Sequence, residues 1–165
     1  MDLLDRLLGH DAWTTRALLE RAATLDDAAL DRPFELGHRT IRATLLHLVR
    51  NMEVWSDLMK GVPVRADAGQ APDGRSIAGL AARLDRAAQD LAEVGRAVAG
   101  RDGWDETWLD VLDDPPARKT YGGALAHVIT HSMHHRAQVI AMLRALGVGD
   151  VPEGDVLSWE AQARP

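Results

Sequence analysis

The sequence predicts an all-α protein, a four-helix bundle with a short hairpin or flap before its last helix. Three observations carry that expectation. Four long segments place apolar residues at helical spacing between capping and breaking residues. One segment, 103–120, breaks that rhythm around a Pro-Pro pair. Four of the seven histidines fall between His127 and His135, on one arc of the last long segment. A length of 165 residues fits one domain, 1–165, with enough chain to bury a real core.

The first helix is expected from about Asp2 to Ala23, with Leu4, Leu7, Leu8, Trp13, Leu18 and Leu19 available for burial. A short extra turn follows over Asp26 to Arg32 and ends at Pro33. The second helix opens at Thr40 and runs to about Lys60, where Gly61 and Pro63 end it. A loop rich in Gly, Pro and Asp from Val62 to Arg75 leads to the third, about Ser76 to Ala99, with Ser76 as N-cap and Gly100 as stop. The segment 103–120 reads as a short β-hairpin or irregular flap. The fourth helix runs from about Gly122 to Leu146, ended by Gly147. The tail, with Pro152, Asp155, Leu157 and Trp159, is expected to pack back across the bundle.

Composition removes several classes of function. A chain that is 46% hydrophobic and 27% charged has the balance of an ordinary globular protein rather than a disordered one. A net charge of −6 argues against a nucleic-acid partner, because phosphate backbones attract basic surfaces. No apolar run approaches the roughly 18 to 20 residues that span a bilayer, so no membrane partner is expected. The amphipathic, acid-bearing start MDLLDRLLGH is unlike a signal or transit peptide, and a cytoplasmic location is the expectation. Cysteine is absent, which removes disulfides, zinc–thiolate sites and any thiol nucleophile of the chain's own. A bound metal must take nitrogen and oxygen ligands, and any thiol chemistry needs a sulfur brought by a substrate.

The run HVITHSMHHRAQV sits within a proline-free stretch from Tyr121 to Leu146. At about 100° per residue and with His127 at zero, His131 falls near 40°, His135 near 80° and His134 near −20°. Leu125, Val128, Val139, Leu143 and Leu146 centre near roughly 130° on that wheel, so His131 and His135 turn furthest toward the core. An i,i+4 histidine pair projecting inward is a common way for one helix to supply two metal ligands. A lone histidine on a helix is usually a surface or satisfied core residue, and a pH-sensing cluster is the bland alternative here. Four on one arc are harder to dismiss, since imidazoles buried together without a shared partner are costly.

Metal sites that do chemistry usually have three protein ligands and keep a position open. His47 is the best third candidate, at the border of an inward stripe made by Leu45, Leu48, Val49, Met52 and Trp55. His10, near Trp13 on the first helix, is its main competitor. His38 sits in a loop just before a helix and is expected to be exposed. His127, His134 and Gln138 are candidates to orient the ligands from behind. Arg136 points near roughly 180°, away from the histidines, and is expected to pair with a tail carboxylate such as Asp155 or Glu160.

These features together resemble the DinB-like family of metal-binding four-helix bundles, and the resemblance runs through most of the chain. It rests on Trp13 in the first helix, His47 followed by Trp55 in the second, HVITHSMHHRAQ in the fourth, then Gly147 and the acidic-aromatic tail around Asp155. The H-x-x-H-H-R-x-Q run is its most specific element. The resemblance implies a divalent transition metal (zinc, nickel or iron) on His47, His131 and His135. The chain departs from the family pattern at Ala137, where a glycine is usual, and at Thr15, where an asparagine is frequent.

The function implied by the resemblance is a metal-dependent enzyme that activates a low-molecular-weight thiol cosubstrate, of the bacillithiol, mycothiol or glutathione type, for transfer to an electrophile. The expected partner is a small-molecule substrate. One alternative is a metal-binding stress-response module without catalysis. Another is a metal-dependent hydrolase, disfavoured because the histidine run contains no glutamate to act as a base. Trp104, Trp108 and Trp159 lie outside the main helices and exceed what so small a core needs. Together with the homodimers common in the resembling family, they suggest self-association, the other use for them being to pack the hairpin and tail onto the monomer.

Overall fold

Side-chain caps set where each long helix begins. In the computed structural model, which describes residues 1–163, helix α1 (Leu3–Ala22) starts behind Asp2, whose carboxylate accepts from the Asp5 amide at 2.8 Å. Helix α3 (Ile41–Lys60) starts behind Thr40, whose hydroxyl accepts from Ala43, and α5 (Ile77–Gly100) starts behind Ser76 in the same way. Helix α6 (Tyr121–Ala145) is capped by Thr120. Each cap satisfies one of the backbone donors that a helix start leaves without a partner. Gly61 closes α3 in the left-handed conformation, as its position after Lys60 predicts.

Shorter elements fill the connections. Helix α2 (Asp27–Leu30) is the extra turn expected after α1, and the expected loop 62–75 contains a 3₁₀ turn at Ala68–Gln70 and the four-residue α4 (Pro72–Arg75). Pro72 sits in the first turn of α4, where its missing N–H costs nothing. Gly100 does not stop α5; it is the last helical residue, and Arg101 is the cap. The flap is a two-stranded antiparallel hairpin, β1 (Thr107–Asp110) with β2 (Ala117–Thr120), running directly into α6.

Helices α1 and α3 each pack against both α5 and α6, so the four long helices form a bundle in which α5 and α6 lie between the other two. Leu18, Leu45, Leu48, Leu84, Leu91, Val128 and Leu143 are among the fully buried residues at its centre. Leu7 and Trp13 of the expected core are only partly covered. The interior also holds a bidentate ion pair between α3 and α5, where Arg83 donates to both carboxylate oxygens of Glu53 at 2.9 and 2.8 Å.

The tail does pack back, as helix α7 (Val156–Ala163), and its seat is α1. Gly9 leaves room for Trp159: a Cβ there would meet the indole at 2.8 Å. His10 donates from Nε2 to the Gly154 carbonyl at 2.8 Å, and Arg6 pairs with Glu160 at 2.8 Å. Trp108 and Trp159 are buried and Trp104 partly so, packing the hairpin and tail onto the monomer. No described helix is long and apolar enough to cross a membrane.

Candidate metal centre

Two packed helices bring the histidines together. Helix α3 presents His47 on its side facing α6, and α6 presents His131 and His135 one turn apart. The order of burial follows the helical wheel: His135 is buried, His47 and His131 are half-buried, and His127 and His134 are exposed. His131 Nε2 lies 3.2 Å from His47 Nε2 and 3.2 Å from His135 Nε2.

Protons alone do not satisfy that convergence. His135 donates from Nδ1 to Gln138 Oε1 at 2.8 Å, while the Gln138 amide nitrogen donates to His134 Nε2 at 2.8 Å. The neutral His135 ring therefore turns a bare lone pair of Nε2 toward His131. If His131 carries its proton on Nε2, that nitrogen donates to one neighbour and has no lone pair for the other. If it does not, two lone pairs face each other at 3.2 Å. A cation among the three nitrogens removes the conflict. Nitrogens held about 2.0–2.1 Å from a tetrahedral zinc stand roughly 3.3 Å apart, close to both observed separations.

The surroundings keep these rings in the ligand form. Burial, followed by the neighbouring imidazoles, pushes His47 and His131 down to about 4. Burial also lowers His135, against the opposing effect of the hydrogen bond it donates to Gln138. All three are neutral at neutral pH, as metal ligation requires.

His38 is the residue whose place the sequence reading missed. It is exposed, as expected for its loop, yet its ring lies 3.9 Å from the His47 ring, centroid to centroid, and 5.1 Å from that of His135. Side-chain nitrogens of His38, His47 and His135 all lie within 4.8 Å of one another, a group of three histidines able to hold a metal ion, and it has His38 where the sequence reading has His131. His131 Nε2 also lies 3.2 Å from both His47 Nε2 and His135 Nε2, so it borders the same two rings. Helical periodicity carries no information about a loop residue; the nearest signal was Gly37, immediately before it.

The remaining candidates separate. Gln138 and His134 stand behind His135 in the hydrogen-bonded chain just described. His127 stacks between His131 and Trp55, at ring distances of 5.2 and 4.9 Å. His10 lies apart from the cluster, in its bond to Gly154. Arg136 does not pair with the tail: its guanidinium contacts the Asp11 carboxylate of α1, with both side chains almost fully buried. The physical reason is that the face of α6 opposite the histidines packs on α1, while Asp155 is occupied by capping Ser158 and Glu160 by Arg6.

A cleft of about 420 Å³ adjoins the histidines on the flap side, lined by Trp55, Lys119, Thr120, Gly123, Ala124 and His127. Lys119 of β2 lies over the Trp55 ring and pairs with Asp110 and Asp113, and Trp108 of β1 meets Trp55 edge-on at 5.9 Å. The flap borders this cleft, the loop carrying His38 borders the histidines, and the tail seats on α1. The sequence model of the DinB family matches residues 1–163 of the chain. No curated protein matches it.

Proposed function

The chain belongs to the DinB family, and from that premise we propose that it is a metal-dependent enzyme that activates a low-molecular-weight thiol for transfer to an electrophile, with His47, His131 and His135 as the metal ligands. The observation that carries this reading is the convergence of three imidazole Nε2 atoms whose contacts protons alone do not satisfy. A divalent transition metal bound there supplies Lewis acidity, which lets a coordinated thiol lose its proton near neutral pH.

The chain's own residues supply the rest. Gln138 fixes the His135 tautomer and ring orientation from behind, a partner that strengthens and aims a ligating imidazole. The partial burial of His47 and His131 keeps both free of protons that would compete for the same lone pairs. The cleft beside His127 supports a small-molecule substrate, held between the indole of Trp55 and the strand bearing Lys119. With no cysteine anywhere in the chain, the reacting sulfur belongs to the cosubstrate. Such thiols are kept reduced in the cytoplasm, the location this reading assigns.

Elemental analysis of protein purified without chelator, followed by transfer assays, tests the reading. Bacillithiol, mycothiol and glutathione are each offered with several electrophiles, chlorodinitrobenzene and a chlorobimane among them, to metal-loaded and metal-stripped protein. The expected result is one divalent ion per chain and transfer that requires it. Inertness toward all three thiols across several electrophiles, or equal rates with and without metal, overturns the enzyme.

A further inference from the structure

The loop between α2 and α3 holds a histidine over the candidate metal centre by two tight turns, closed by the Arg39 amide on the Leu36 carbonyl and the Thr40 amide on the His38 carbonyl, each at 2.9 Å. Gly37 and Arg39, on either side of His38, both take left-handed backbone conformations, with φ of 51° and 70°. For Arg39 that conformation is costly, and a residue with a side chain keeps it only where its surroundings impose it. The loop is tied by the Phe34 amide to the Arg39 carbonyl at 2.6 Å, by the Arg39 amide to the Leu36 carbonyl at 2.9 Å, and by an ion pair between Arg39 and Glu35. Gly37 comes so close to Gln138 that a Cβ would lie 2.1 Å from Oε1, the same oxygen that accepts from His135 Nδ1. Loop and ligand-orienting amide are therefore packed as one unit, and His38 is delivered onto the rings of His47 and His135.

We propose that His38 is a fourth, loop-borne imidazole ligand that closes the metal centre and yields its position to an incoming substrate. The proposal rests on the three-histidine reading above and deepens it. The three helical histidines stand on the bundle wall, where backbone hydrogen bonding fixes their spacing. His38 stands on an exposed loop outside the bundle, and its nitrogen is within 4.8 Å of those of two of the others. A site with four protein ligands is closed, whereas one with three is open to water and substrate. An exchangeable fourth ligand gives a centre that is shielded when empty of substrate and opens when a stronger donor, such as a thiolate, displaces the imidazole. The balance is one ligand for another, with His38 leaving neutral.

The test uses full-length protein loaded with Co²⁺, with X-ray absorption at the cobalt edge to count imidazole ligands and a competition titration to measure affinity. Wild type is expected to show four imidazoles, and His38→Ala and His38→Gln three, with one ion per chain retained and affinity lower by roughly tenfold or more. Wild-type protein that already shows three imidazoles, or variants whose spectrum and affinity match wild type, overturns the role of His38 and leaves the three-histidine centre standing. Failure of wild type to bind cobalt overturns both. The wild-type count is decisive without any variant, so a His38 substitution that misfolded would not remove the test.

Discussion

At the scale of single residues, the donor set makes unequal demands on its members. His47→Ala, His131→Ala and His135→Ala are each expected to abolish tight metal binding. His134→Ala is expected to keep the stoichiometry, because its exposed ring meets the His135 ring edge-on at 5.1 Å and accepts from Gln138 but sends no nitrogen to the Nε2 convergence. Gln138→Leu is expected to retain the metal with affinity lowered by roughly 10–100-fold, the loss of a partner that holds a ligand's far nitrogen. Calorimetric titration of the five proteins checks this ranking; loss of metal in His134→Ala with retention in His135→Ala would reverse the assignment. The same rings set the acid behaviour of the metal-free protein. His47 and His131 take up protons at about 4 when folded, against the ordinary value near 6.5 when unfolded. Between those values the unfolded chain binds more protons, so stability is full above about 6.5 and falls as pH drops toward about 4. Urea midpoints of chelator-treated protein across that window should decline with acidity, and His47→Ala should flatten the decline. Metal affinity follows the folded values, so proton competition sets in at lower pH than for ordinary histidines.

Between elements, α6 joins two neighbours by opposite kinds of face. Toward α3 it offers imidazoles; toward α1 it offers Arg136, buried against Asp11. Burial pushes the Asp11 carboxyl up, and Arg136, followed by His10 and Ser132, pulls it down without cancelling the rise. Arg136→Met removes the guanidinium and leaves a carboxylate with no cation in a dry interface, expected to cost about 3–5 kcal/mol. Denaturant unfolding measures this. A companion Asp11→Leu/Arg136→Met variant should recover a large part of the loss, because it removes the isolated charge as well.

For the whole molecule, a metal held by His47 on α3 and by His131 and His135 on α6 would clamp two helices that are far apart in sequence. Anything that binds the folded state alone raises its stability with concentration, so excess metal should raise the melting temperature and chelation should lower it. Identical melting with and without metal would count against a bridging site. Self-association has lost its first argument, since Trp104, Trp108 and Trp159 are used within the monomer. Its remaining support in the structure is the exposed apolar run Leu109, Val111 and Leu112 on the flap. A homodimer built on that run would scatter light at twice 18.0 kDa at micromolar concentration, and Leu112→Asp would return it to 18.0 kDa.

The sequence by itself determined the four long helices, because apolar spacing and start signals such as Thr40 and Ser76 are local and act within one turn. It also ranked the histidines of α6, since a single helix converts position directly into direction. It singled out His47 as well, from an inward stripe on its own helix. Only the tertiary structure decided what crosses between elements. The partner of Arg136 is such a case, because a helical wheel gives the direction of a side chain but not what packs there. His10 turned to the tail rather than the histidine cluster, for Gly154 is brought to it by a chain reversal that no periodicity encodes. His38 is the clearest instance: its place over His47 depends on two left-handed loop residues and on the fit of Gly37 to Gln138, a contact across 101 positions of sequence. Loops carry no repeating pattern, so their aim is set by what they pack against.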